Sequence, residues 1–454
     1  MVEVEIANGR VHVLAFPWPG QGHLNPMLQF VNLLASRGLK VTVITTTSTY
    51  KTAQINSTNL VNFDCISDGS DDQEKKKPKD IQEYFALFKS VISQSLAEII
   101  EKYNSSDDAP KVLVYDSLMP WALDLAREKG LVAACLFTQS CSVSSIYYNL
   151  LEQGKDRSAL LEGGSVGTLP PLPKMQEDEM PCFSYFKDAS RVVQDFLAGQ
   201  FCNIDKLDWI FFNTFDKLEE EVAEWMTSQW PVKTVGPLFL SSYLKNQEKA
   251  KIDLFKPSTE ACKDWLNTRE TGSVIYISFG STVCISKEEM EEIAWGIAAS
   301  NYSFLWVVRE SEESKLTENF KTETSKKGLI VKWCPQLEVL DHKAVACFMT
   351  HCGWNSTLEA LSFGVPMILM PQYVDQTTNA KFIEDVWRDG VRLRKQGGIL
   401  TRDTVENCLN QFMHEERLKM LQENACELKA LAIKAIHEGG SSYANIDEFV
   451  SMVA

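Results

Sequence analysis

The chain has 454 residues, enough for two to four domains of ordinary size, with two large ones the simplest reading. Its 44% hydrophobic and 23% charged residues are close to globular averages, which excludes a disordered or fibrous chain. The 45 basic and 61 acidic residues leave a net charge of −16, which argues against nucleic acid or an anionic membrane as partner, since both call for basic surface.

Along the chain, short β-branched runs alternate with longer amphipathic segments, the pattern of a parallel sheet covered by helices. Residues 11–16 (VHVLAF) read as a strand, after which Asn25-Pro26 opens a helix that runs to Ser36 and stops at Gly38. Further strands are expected at 40–46, 112–116 and 133–137, with a long amphipathic helix over 80–103. Residues 154–188 carry GG, PP and LP turns without periodicity and read as a long loop near a site. Runs at 209–214 and 233–237 close this half. Residues 238–257 are charged and aperiodic, as an interdomain linker would be. A second alternation follows, with strands at 273–279, 303–308, 329–333, 346–350 and 366–370, and the chain reads as helical from Arg402 on. The expected fold is α/β, with two doubly wound sheets.

Twelve cysteines are scattered without a CxxC pair, many inside apolar runs such as VAACLF, so buried free thiols in a reducing compartment are expected. The first ten residues are acidic and polar, unlike a signal peptide, and there is no run of 18 apolar residues. The expectation is a cytoplasmic protein without a membrane span.

In open α/β sheets chemistry sits at the carboxyl ends of strands, at the point where strand order reverses. The first such loop is PWPGQGHLNP, which puts His23 at a strand-to-helix turn. A dinucleotide fingerprint fails there, because Asn25 and Pro26 stand where GxGxxG needs its third glycine. His23 is then a polar turn residue or a base. Asp116 ends an apolar strand and is either a helix cap or the orienting partner of that base. Nucleophilic serine chemistry is disfavoured: GGSVG at 163–167 matches GxSxG but lacks the flanking strand and helix. In the second half, the strand ACFMT runs into His351-Cys352-Gly353-Trp354-Asn355-Ser356-Thr357-Leu358-Glu359. Free N–H groups, the helix dipole and small polar side chains make an anion cradle that needs no lysine or arginine. The same residues also form a capping box from Ser356 to Glu359, and one helix end can serve both purposes. SFGST (278–282) is a second loop of this kind. Trp333 could be core or a plane for a nucleobase, and Asp375-Gln376 could grip sugar hydroxyls.

From Trp333 to Gln376 the text WCPQLEVLDHKAVACFMTHCGWNSTLEALSFGVPMILMPQYVDQ resembles the plant secondary-product glycosyltransferase signature over its forty-four positions. Gln21-Gly22-His23, Asp116 and the 278–281 loop also stand where that family has functional residues, so the resemblance covers nearly the whole chain. It implies a family-1 UDP-sugar-dependent enzyme of the GT-B fold, in which two Rossmann-like domains face each other across a cleft. Expected boundaries are 1–237 for an acceptor-binding domain, 238–257 for the linker and 258–435 for the UDP-sugar domain, with a helix over 436–454 packing back on the first. The resemblance further implies His23 as catalytic base with Asp116 as its partner. Trp333 would stack on uracil and the Cys334 backbone would pair with it, while Gln336 and Glu359 bind ribose. Ser281, His351, Asn355 and Ser356 would contact the diphosphate, and Trp354, Asp375 and Gln376 would hold the sugar, Gln376 favouring glucose over galactose.

The absence of an Asp-x-Asp pair agrees with a reaction needing no metal and no cofactor beyond the UDP-glucose co-substrate. Trp18, Met119, Trp121, Tyr147, Phe183, Phe186 and Phe196 are the expected acceptor lining, suited to a steroid, terpenoid or phenolic alcohol. Transfer to a small carboxylic acid, giving a glucose ester, is the alternative. The expected partners are thus a UDP-sugar and a small acceptor, acting on a monomer. Two rival classes are an NAD-dependent oxidoreductase, opposed by the broken glycine fingerprint, and a non-catalytic binding protein, opposed by the complete set of site residues.

Overall fold

Continuous apolar runs become strands buried on both faces, because helices cover both sides of a parallel sheet. The computed structural model describes residues 11–69, 79–163, 169–183, 189–245, 250–395 and 399–454. In chain order the strands are β1 (His12–Phe16), β2 (Lys40–Thr46), β3 (Gln54–Asn56), β4 (Val61–Ile66), β5 (Pro110–Asp116), β6 (Val132–Phe137), β7 (Trp209–Phe212) and β8 (Val232–Thr234). They continue with β9 (Lys251–Asp253), β10 (Val274–Ser278), β11 (Ser303–Val307), β12 (Gly328–Val331), β13 (Val345–Thr350), β14 (Met367–Leu369) and β15 (Gly390–Arg392).

Among the described residues, one parallel sheet has the order β4-β2-β1-β5-β6-β7-β8 and a second has the order β12-β11-β10-β13-β14-β15. The fold is therefore α/β with two doubly wound lobes. Strand order reverses between β1 and β5 in the first lobe and between β10 and β13 in the second. Those are the two places where a crevice opens at the carboxyl ends of the strands. One apolar cluster backs the first sheet, another backs the second, and the largest runs from one lobe into the other.

Three sequence expectations change. The first helix, α1 (Gln21–Ser36), begins four residues before Asn25 and carries Pro26 inside it. His23 therefore sits in the first helical turn and not in the turn before it. The segment 238–257, expected to be aperiodic, contains a helix (Leu238–Leu244) and β9, which pairs antiparallel with β3. Asn32 of α1 holds both backbone groups of Ala250, accepting from its N–H at 2.9 Å and donating to its carbonyl at 3.0 Å. Such a tie between distant residues leaves no periodic trace. The segment 154–188 likewise contains a short helix at Arg157–Leu161.

The last helix, Ser441–Val453, returns to the first lobe. Phe449 is fully buried there, with ring centroids 5.0 Å from Phe211 and 5.2 Å from Trp209. Lys233 pairs with Glu448 at 2.7 Å, and Ser442 donates to the Gly236 carbonyl at 2.6 Å. The chain thus passes between the lobes twice. Among the described residues no helix is long and apolar enough to cross a membrane. None of the twelve cysteines is joined in a disulfide among the described residues, and six are buried.

Candidate active site

The reversal in the first sheet sets β1 beside β5, with Phe16 opposite Tyr115 in the register. This brings the α1 turn over the end of β5, and His23 Nδ1 lies 2.7 Å from Asp116 Oδ2. Asp116 is fully buried while the His23 side chain keeps 27% exposure, so the imidazole faces the cleft and its partner does not. The second carboxylate oxygen accepts from the Leu118 N–H at 3.0 Å. A carboxylate can only accept, so the proton of a neutral imidazole sits on Nδ1 and the Nε2 lone pair is left free. Thr138, just past β6, places Oγ1 3.0 Å from the same Nδ1 and shares that proton.

The reversal in the second sheet sets the loop after β10 beside the loop after β13. The His351 ring is held between Gly280 and Gly353, at either of which a Cβ would fall within 2.7 Å of it. Gly280 also needs its φ of +72°. Burial drives the His351 pKa down to about 4, so this ring is neutral and offers a hydrogen bond, not a charge. Asn355 and Ser356 stand in the first turn of the helix Trp354–Phe363, where backbone N–H groups lack helical partners.

Behind this cradle is a polar web. Gln336 Nε2 donates to Glu359 Oε2 at 2.6 Å and to Ser356 Oγ at 3.0 Å, and Gln336 Oε1 accepts from the Tyr276 hydroxyl at 2.8 Å. Burial raises the Glu359 carboxyl to about 7. The Cys334 side chain is buried against the Tyr276 hydroxyl, 3.2 Å from its Sγ. Trp333 stacks on Phe255 with centroids 4.4 Å apart. Asp375 is raised to about 6 by burial and is drawn back down by hydrogen bonds, including one from Asn379. Gln376 Oε1 accepts from the Gln372 and Tyr373 N–H groups, which orients its amide nitrogen away from that turn.

The lobes meet directly around these groups. Asn355 Nδ2 donates to the Gly22 carbonyl at 2.7 Å, and the Trp354 indole N–H donates to the Asn213 carbonyl at 2.8 Å. The Trp354 ring is thus committed to the lobe interface, so any hold on a sugar falls to its backbone. Cys182 and Val374 exchange two backbone hydrogen bonds, and Val374 sits at φ +56°, next to Asp375. A β-branched residue there is strained, so this bridge holds the turn in place.

On the first lobe Trp18 packs against Phe88 at 4.7 Å and Phe196 at 5.3 Å, and Phe85 stacks on Phe196 at 4.1 Å. Trp121 lies edge-on to Phe16, and Phe183 packs near Tyr147. Met119 and Tyr147 are fully buried in the core cluster, which limits what they can offer a ligand. Phe186 lies outside the described residues.

A family model described as "UDP-glucoronosyl and UDP-glucosyl transferase" matches residues 214–434, and one described as "Glycosyltransferase, N-terminal domain" matches residues 9–238. UDP glycosyltransferase 9 of Catharanthus roseus is 48% identical, over 97% of this chain and 96% of that protein. The chain belongs to the plant family-1 UDP-glycosyltransferases. A flavonol 7-O-beta-glucosyltransferase, UGT74F1 of Arabidopsis thaliana, is 44% identical to this glycosyltransferase over 98% of both chains. Mogroside I-E synthase of Siraitia grosvenorii is 42% identical over the whole of both. The crystal structure of Os79 from O. sativa in complex with UDP superposes with a TM-score of 0.89 at 34% identity, covering 97% of this chain and all of that one. The two lobes are the GT-B arrangement.

Sequence reasoning missed several residues that the structure places around the candidate site. Thr138 follows a strand adjacent to β5, so the strand-end rule had reached its loop without testing its first polar residue. Phe85 and Phe88 lay inside a helix read only as amphipathic. Tyr276 carried no signal, since it acts through Gln336, far along the chain, whereas Asn379, one helical turn past Asp375, stood within reach of that residue and was passed over.

Proposed function

We propose that this glycosyltransferase moves glucose from UDP-glucose to a hydroxyl of a small apolar plant metabolite, with inversion, to give a β-O-glucoside. The observation that carries the reading is the His23–Asp116 pair, open to the cleft beside the helix end that carries Asn355. His23 Nε2 takes the proton of the acceptor hydroxyl as its oxygen bonds to the anomeric carbon. The bond from that carbon to the diphosphate oxygen breaks, and UDP leaves with the electron pair. Asp116 stabilises the imidazolium that results. The N-terminus of the Trp354 helix, with Ser281, His351, Asn355 and Ser356, receives the charge that builds on the diphosphate. Trp333 and the Cys334 backbone take uracil, Gln336 and Glu359 the ribose, and Asp375, Gln376 and the Trp354 backbone the sugar. One displacement from the face opposite UDP inverts an α-linked donor to a β product.

The acceptor side rests on the Trp18–Phe85–Phe88–Phe196 aromatic group and on relatives named for a flavonol and for mogroside I-E. The reading includes no metal, because the N-terminus of the Trp354 helix takes the charge that builds on the diphosphate. Turnover is accordingly expected to survive EDTA. The deciding experiment offers a panel of flavonols, triterpenoid and steroid alcohols with UDP-glucose. A mass gain of one hexose and a β-anomeric NMR coupling are expected, and an α-linked product or no transfer would refute the proposal.

A further inference from the structure

Pro26 is a buried residue within α1, six positions into the helix, where its lack of an N–H leaves the carbonyl of Gly22 without its helical donor. That carbonyl accepts instead from Asn355 Nδ2, at 2.7 Å, across the cleft. The other end of the same amide, Asn355 Oδ1, is buried and has no hydrogen-bond partner among the described residues, so the side chain is oriented by what it donates. Gly22 immediately precedes His23, and Asn355 stands in the first turn of the helix proposed to hold the diphosphate.

We infer that Pro26 is a positioning residue: by withholding an N–H it keeps the Gly22 carbonyl available as the anchor through which the donor-binding helix sets the place of His23. The Asn355 amide has two hydrogens. One engages Gly22, and the second remains free for the leaving diphosphate, so a single side chain fixes the distance between base and leaving group. An ordinary residue at position 26 would supply an N–H from within α1, aimed at the same carbonyl and competing with Asn355. The inference rests on the transfer reading above and extends it to a residue that touches neither substrate.

The test substitutes Pro26→Ala, with Pro26→Val as a companion that restores the N–H while retaining most of the buried volume. Steady-state rates with UDP-glucose and an accepted alcohol should show kcat lowered about 10- to 100-fold, the scale expected when a reacting group is displaced by a fraction of an ångström to 1 Å. KM for the alcohol should stay close to wild type, and so should the pH at which kcat/KM rises, because the His23–Asp116 contact is untouched. In a cycle with Asn355→Ala, adding Pro26→Ala should lower kcat no further, since the bond is already gone. Wild-type kcat in a folded Pro26→Ala or Pro26→Val enzyme, or effects that multiply in the cycle, would overturn the inference alone. A wild-type protein that glucosylates no acceptor would overturn the transfer reading and this inference with it.

Discussion

At the scale of single residues, the site works by separating what is buried from what is wet. Asp116 is sealed and His23 is open, so the charge that orients the ring is held away from water and from substrate. A general base contributes about 10²–10⁴-fold, so His23→Ala should lower kcat with an alcohol by that order. With a carboxylic acid acceptor, already ionised near neutral pH, the loss should be smaller; alcohol turnover near wild type would refute the base. Glu359 gives a pH prediction. Burial raises its pKa from 4.5 to about 7, so between those values the folded chain keeps a proton that the unfolded chain has released. Its contribution to stability therefore falls as pH rises through that window and stays low above it. Glu359→Gln removes the titration, so its Tm relative to wild type should be higher at pH 8 than at pH 5. An equal offset at both values would contradict the assignment.

At the scale of elements, each half of the site is a strand, a tight turn and a helix start. The turn after β10 and the one after β13 close on the His351 ring, and Gly280 is required there twice over. A side chain would enter the ring, and φ +72° is poorly tolerated by any residue with a Cβ. Gly280→Ala should destabilise the protein by about 1–3 kcal/mol, read by denaturant unfolding, and weaken UDP binding in calorimetry. Unchanged UDP affinity would mean the turn is not part of the donor cradle. The start of α1 shows where element rules fall short. Asn25-Pro26 has the form of a helix opening, yet the helix begins four residues before Asn25, and the Gly22 carbonyl that Pro26 leaves without a helical donor accepts from Asn355 of the other lobe.

At the scale of the molecule, the lobes are tied at both ends of the cleft. Cys182–Val374 joins them next to Asp375, Asn355–Gly22 and Trp354–Asn213 next to His23, and the last helix behind the first sheet. Phe449 is the apolar anchor of that return. Phe449→Ala should cost about 3–5 kcal/mol of unfolding free energy, as for other large buried aromatic residues. A cost below about 1 kcal/mol in urea denaturation would show that the helix is not an integral part of the first lobe.

The amino-acid sequence by itself determined the βα alternation, the loops after strands in which chemistry would sit, and the helix start near Trp354 that is proposed to take an anion. Those features are local: apolar periodicity reports which face is buried, and glycines with small polar residues report a helix start. His23 and Asp116 were both legible as strand-end residues. Their pairing, 93 residues apart, depended on β1 lying next to β5. Only the tertiary structure decided that Thr138 shares the imidazole proton, that the Trp354 indole serves the interface, that Met119 and Tyr147 belong to the core, and that Asn355 reaches Gly22. Each of these is a contact between segments whose separation is set by strand order and lobe packing. The pattern along a single segment carries no record of what lies across a cleft from it.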